Sequence, residues 1–71
     1  MAALEFGQVV FTRDGAKKGR VMATWGMWAE RIRVRWEDGT ESDTHEDGVR
    51  RGPRPSRHER ESFAAEVGAK L

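Results

Sequence analysis

Residues 31 to 36 alternate without a break, with Ile32, Val34 and Trp36 on one side and Arg31, Arg33 and Arg35 on the other. Successive side chains of an extended strand point to opposite faces, so the segment predicts a half-buried β-strand with its arginines in water. The acidic and polar residues after Trp36 restrict how the partner strand can pair. A two-residue turn at Asp38-Gly39 would set Val34 opposite Asp43 and Trp36 opposite Glu41, burying carboxylates beside core residues. A three-residue loop of Glu37, Asp38 and Gly39, with Gly39 in the left-handed region, instead pairs Trp36 with Thr40 and Val34 with Ser42. It also sets Arg35 against Glu41 and Arg33 against Asp43, cross-strand pairs worth about 0.2–1 kcal/mol each. Avoided carboxylate burial is the larger effect, and the bulged hairpin is the expected one.

Gly7, Asp14-Gly15, Gly19, Gly26, Asp38-Gly39, Asp47-Gly48 and Gly52 punctuate the chain at short intervals. Between them lie runs rich in β-branched and aromatic residues, which is the rhythm of short strands. Strands are predicted over 8–13, 20–25, 31–36 and 40–45, with a short fifth over 49–51. The first places Val9 and Phe11 on one face and Gln8, Val10 and Thr12 on the other. In the second, Val21, Ala23 and Trp25 oppose Arg20, Met22 and Thr24. Phe11, Trp25 and Trp36 are expected in the core.

Pro53 and Pro55 end the strands, and Ser56-Arg57-His58-Glu59 forms a capping box that opens a helix. Phe63, Val67 and Leu71 recur every four residues on it, a narrow stripe suited to docking on a sheet. The predicted fold is therefore all-β, a small barrel of about five short antiparallel strands over residues 1–52, followed by a Pro-led linker and short amphipathic C-terminal helix over 53–71.

A chain of 71 residues without cysteine makes one domain and closes its core by packing alone. A domain this small buries only about 60% of its unfolded surface, which leaves no room for a deep substrate cavity. The absence of thiols excludes disulfides and thiolate metal sites and suits a reducing cytosol. The N-terminal residues show neither a basic region nor an apolar core of a signal peptide, and no apolar run approaches a membrane span, so a cytoplasmic location is expected.

Three stretches together resemble the Tudor and KOW-type SH3-like barrels: Gly7-Gln8-Val9-Val10-Phe11, then Lys18-Gly19-Arg20-Val21, then Ile32-Arg33-Val34-Arg35-Trp36-Glu37-Asp38-Gly39-Thr40. The resemblance spans about residues 6 to 51. It implies a non-catalytic binding module whose ligand is RNA, DNA, a ribosomal or polymerase surface, or a modified basic side chain. The chain has no tyrosine, and Trp36 and Phe11 are assigned to the core, so an aromatic cage is not expected. Plasmid-borne dihydrofolate reductases use protomers of similar size, but their late Val-Gln-Ile-Tyr stretch has no counterpart in Asp47-Gly48-Val49-Arg50-Arg51, and that activity is not carried over.

Catalytic chemistry would have to come from His45, His58, Ser42, Ser56 and Ser62, none of which forms a nucleophile–base pattern. Asp43 to Gly48 begins like a calcium loop, yet Arg54 stands where the bidentate glutamate belongs. No enzyme activity, metal or cofactor is expected.

The net charge is only +1, but the charges are unevenly spread. Arg13, Lys17, Lys18 and Arg20 surround the first loop, and Arg50, Arg51, Arg54 and Arg57 surround the proline linker, all without evident acidic partners in sequence. Brought together, the two groups would form a stripe for phosphates, making nucleic acid the expected partner. Met22, Met27 and Trp28 supply a second candidate surface, for a protein partner. Either the tail helix covers Trp28 or a partner does. By size, the chain suits a small bacterial or phage accessory protein.

Overall fold

Five strands form one antiparallel sheet: β1 (Val9–Thr12), β2 (Lys18–Trp25), β3 (Arg31–Trp36), β4 (Glu41–His45) and β5 (Val49–Arg51), with a 3₁₀ turn over Glu46–Gly48 and a closing helix α1 (Arg57–Gly68). The computed structural model describes residues 4–68. The order across the sheet is β4-β3-β2-β1-β5, a meander whose last strand returns beside the first, and the sheet curls into a half-barrel. Strand ends differ from the sequence reading by one or two residues, the ordinary uncertainty of frayed termini.

The β3–β4 hairpin has the expected register: Val34 faces Ser42, Arg35 faces Glu41 and Arg33 faces Asp43. The Trp36 amide donates to Thr40 O at 2.8 Å and the Gly39 amide to Trp36 O at 3.0 Å, with Gly39 at φ +89°. Asp38 locks this turn by accepting from the Thr40 hydroxyl at 2.6 Å and the Thr40 amide at 3.0 Å, and Lys17 pairs with it at 3.2 Å. These bonds, led by the Thr40 hydroxyl, hold its carboxyl at a pKa of about 2. Arg33 lies 3.1 Å from Asp43 and Arg35 3.1 Å from Glu41.

Leu4, Val10, Val21, Ile32, Val34 and Val49 form the core, with Trp36 packed against it and its indole N–H donating to Ser42 Oγ at 2.8 Å. Two expectations for this core are corrected. Phe11 is only half-buried, because Val10 occupies the inner face of β1 and alternation turns Phe11 outward. Trp25 is 42% exposed. The cause is a bulge at Met22, where the pairing shifts from Val21↔Val34 to Ala23↔Arg33. One extra residue reverses the alternation, so Thr24 faces Ile32 while Ala23 and Trp25 join the arginine face.

Helix α1 begins as its capping box requires. The Glu59 amide donates to Ser56 Oγ at 3.1 Å and the Ser56 amide to Glu59 Oε1 at 3.3 Å. Bonding from Ser56 holds the Glu59 carboxyl below its usual pKa. The helix docks through buried Phe63, whose ring centre lies 5.2 Å from that of Phe6, and through Glu59, 3.5 Å from Arg20. Val67 is half-buried, and Leu71 lies outside the described residues.

The β3–β4 turn can be probed at two of its residues. A Cβ at Gly39 would meet nothing within 4 Å, so the penalty of Gly39→Val is backbone strain alone. Chemical denaturation should show a loss of about 1 kcal/mol or more, with Gly39→Asn losing less, because asparagine tolerates positive φ. Asp38 has a folded pKa of about 2, below its unfolded value, so its contribution is present above about pH 4 and is lost as pH falls towards 2. Thermal melts of Asp38→Asn should therefore be less stable at neutral pH and lose less on acidification than the parent.

Candidate nucleic-acid interface

Residues directly opposite in neighbouring strands share a face. Phe11 of β1 pairs with Lys18 of β2 on one side and Arg50 of β5 on the other, so Arg50, Phe11 and Lys18 form a row on the outer face. The β1–β5 ladder thus joins the first-loop and late basic groups, which the sequence separates by more than thirty positions. Arg50 reaches towards the β1–β2 loop, its Nη1 4.0 Å from where a Gly15 side chain would begin. Arg13 donates to Asp47 O at 2.8 Å, tying the same loop to the 3₁₀ turn. Within the loop, Asp14 accepts from the Thr12 hydroxyl at 2.6 Å and the Ala16 amide at 3.0 Å, bonds that depress its pKa in that order.

Four of the eight cations expected to lack acidic partners have them. Lys17 pairs with Asp38, Arg20 with Glu59, Arg51 with Glu46 at 3.7 Å, and Arg57 with Glu61 at 3.2 Å. Lys17–Asp38 and Arg20–Glu59 join distant parts of the chain, Arg51–Glu46 links β5 to the turn just before it, and Arg57–Glu61 is the ordinary helical i,i+4 pair. Arg51 also turns to the inner face opposite Val10, away from Arg50. Among the described residues Arg13, Lys18, Arg50 and Arg54 have no carboxylate within 4 Å; Arg54 is exposed in the linker, off the sheet.

Sequence reasoning misses three residues of this outer face. Phe11 and Trp25 read as core residues, and Arg31 as a strand residue without a role. Trp25 pairs directly with Arg31, which pairs with His45, and Arg31 has no carboxylate partner among the described residues. The signal available was the arginine alternation of β3, which fixes Arg31 on the outer face. The bulge that sets Trp25 beside it has no comparable signature.

The second candidate surface is the β2–β3 loop. Met27 is 85% and Trp28 77% exposed, and Met22 is half-buried at the bulge. The helix docks on Phe6, so Trp28 is not covered by α1. The loop is nevertheless ordered: the Trp28 amide donates to Glu30 Oε2 at 3.0 Å, Ala29 N–H to Gly26 O at 3.2 Å, and Glu46 N–H to Glu30 O at 2.8 Å. Ala29 takes φ +55°, a region disfavoured for a residue with a Cβ. Bonds from its own amide and that of Trp28 hold the Glu30 carboxyl below its usual pKa.

Among the described residues no helix is long and apolar enough to cross a membrane, and no group of metal-ligating side chains is assembled. No protein-family model, curated protein or solved structure matches this chain.

Trp28→Ala removes an exposed side chain and should change unfolding free energy by less than about 0.5 kcal/mol. Phe63→Ala removes a buried ring and should cost about 3 kcal/mol, read in the same denaturation series. A large loss in the first variant would mean that the loop is packed.

Proposed function

We propose that the chain is a non-catalytic binding module, an SH3-like barrel of the KOW or Tudor type, that associates weakly with single-stranded nucleic acid. Support for the barrel type comes from the five-strand meander whose last strand returns through one 3₁₀ turn to pair with the first. The ligand reading rests on one observation, the row Arg50–Phe11–Lys18 on the outer face. An aromatic ring offers a base a stacking surface, and a cation on either side, one strand spacing of about 4.8 Å away, suits the backbone phosphates. Partial neutralisation of the other basic residues keeps the electrostatic term small, so binding is weak and salt-sensitive.

Fluorescence anisotropy with a labelled oligothymidine or oligouridine at stepped salt tests this reading. The parent should bind at low salt and lose affinity towards physiological salt. Lys18→Ala with Arg50→Ala should reduce the slope of log affinity against log salt by about 1.4, two single-strand phosphate contacts. Phe11→Ala should weaken binding by about 1–3 kcal/mol without changing that slope. Equal binding by all three proteins would remove the row from the site.

A second reading is a protein-docking tip at Met27 and Trp28. Its support is an apolar loop that is exposed yet preordered by Glu30, which lowers the entropy lost on binding.

A further inference from the structure

The outer face carries a second pairing of an aromatic residue with a cation, at the far end of β2. Trp25 and Arg31 are cross-strand partners there, with His45 next in the row. Lys18 and Trp25 bound the same strand, seven residue steps apart, a separation of about 20 Å once the bulge is allowed for. Both clusters lie on one face because the extra residue at Met22 turns Trp25 outward.

The cations between them are already paired, Arg20 with Glu59, Arg35 with Glu41 and Arg33 with Asp43. Arg20 and Arg35 are cross-strand neighbours, and Arg33 follows on β3. An open groove of about 340 Å³ separates α1 from β2 and β3, lined on the sheet side by Lys18, Arg20 and Arg35 and elsewhere by Trp36, Glu37 and Glu66. Arg35 is held by Glu41 through Nη2, yet its Nη1 is buried with no hydrogen-bond partner among the described residues. A buried guanidinium N–H without an acceptor is costly. The acids Glu37 and Glu66 line the same groove.

We propose that Trp25 and Arg31 form a second nucleic-acid contact, so that one single strand is engaged at both ends of β2. This inference rests on the nucleic-acid reading above and extends it: Phe11 and Trp25 stack bases at the two ends, and Lys18, Arg50 and Arg31 hold phosphates beside them. Ligands shorter than about four nucleotides reach only one cluster, whereas longer ones reach both. Affinity therefore steps up with length.

The test is a ¹⁵N-labelled titration of the full chain with oligothymidines of two and of eight nucleotides, following amide and indole N–H signals at low salt. The eight-nucleotide strand should shift the Trp25 indole and the Ala23 and Arg31 amides together with Phe11, Lys18 and Arg50. Trp25→Ala should weaken that strand at least fivefold and leave the two-nucleotide ligand within twofold. Shifts confined to Phe11, Lys18 and Arg50, with Trp25→Ala binding as the parent does, would overturn the second contact and leave the first in place. No shift anywhere would overturn both. Shifts at Trp25 and Trp28 that appear on raising protein concentration without oligonucleotide would identify a protein interface and overturn the inference.

Discussion

The bulge at Met22 decides what each face of this sheet displays. Before it, Val21 lies on the core with Val34; after it, Thr24 pairs with Ile32 but is exposed, and Trp25 moves to the arginine side. Without the extra residue, Trp25 would point inwards and the outer end of β2 would show Met22 and Thr24. A bulge also increases local twist, which suits a sheet that must curl to bring β5 beside β1. The outward placement of Trp25 and the added local twist therefore share one local cause.

The core is small enough that turn chemistry carries much of the specificity. Six buried aliphatic residues and part of Trp36 fill it. Gly19 sits beneath Trp36, where a Cβ would lie 2.6 Å from Val34 Cγ1 and 2.8 Å from Trp36 Cε3. The hairpin register is held by Gly39, Asp38 and Thr40 at the turn and by the Arg35–Glu41 and Arg33–Asp43 pairs along it. The exposed Arg33–Asp43 pair adds little stability, but both pairs penalise a one-residue slip that would bring like charges or buried carboxylates together. The tail adds a separate contact at Phe6 and Phe63.

Much of the fold was legible in the sequence, for identifiable reasons. The β3–β4 register could be read because the two candidate turns differ by two buried carboxylates, a difference larger than any propensity. The capping box at Ser56 and Glu59 could be read because its bonds span three residues. Trp25 was misplaced because Val21, Ala23 and Trp25 alternate as a regular strand does, and nothing local in Val-Met-Ala-Thr-Trp marks the bulge. Lys17–Asp38 and Arg20–Glu59 join residues far apart in sequence, so they depend on strand order and helix docking that spacing does not encode. The approach of Arg50 and Lys18 was legible only as a condition, met by the β1–β5 and β1–β2 pairings, and Phe11 between them was read as a core residue.

The pairing of β2 with β3 beyond Val21 is therefore the point on which the outer-face account of β2, and with it the second contact, turns. Cross-strand nuclear Overhauser contacts in the labelled protein measure it directly. The bulged register requires Ala23 opposite Arg33, Thr24 opposite Ile32 and Trp25 opposite Arg31. Contacts of Ala23 with Ile32 and of Thr24 with Arg31 would mean a regular strand with Trp25 in the core, and would contradict an outer face with aromatic residues at both ends.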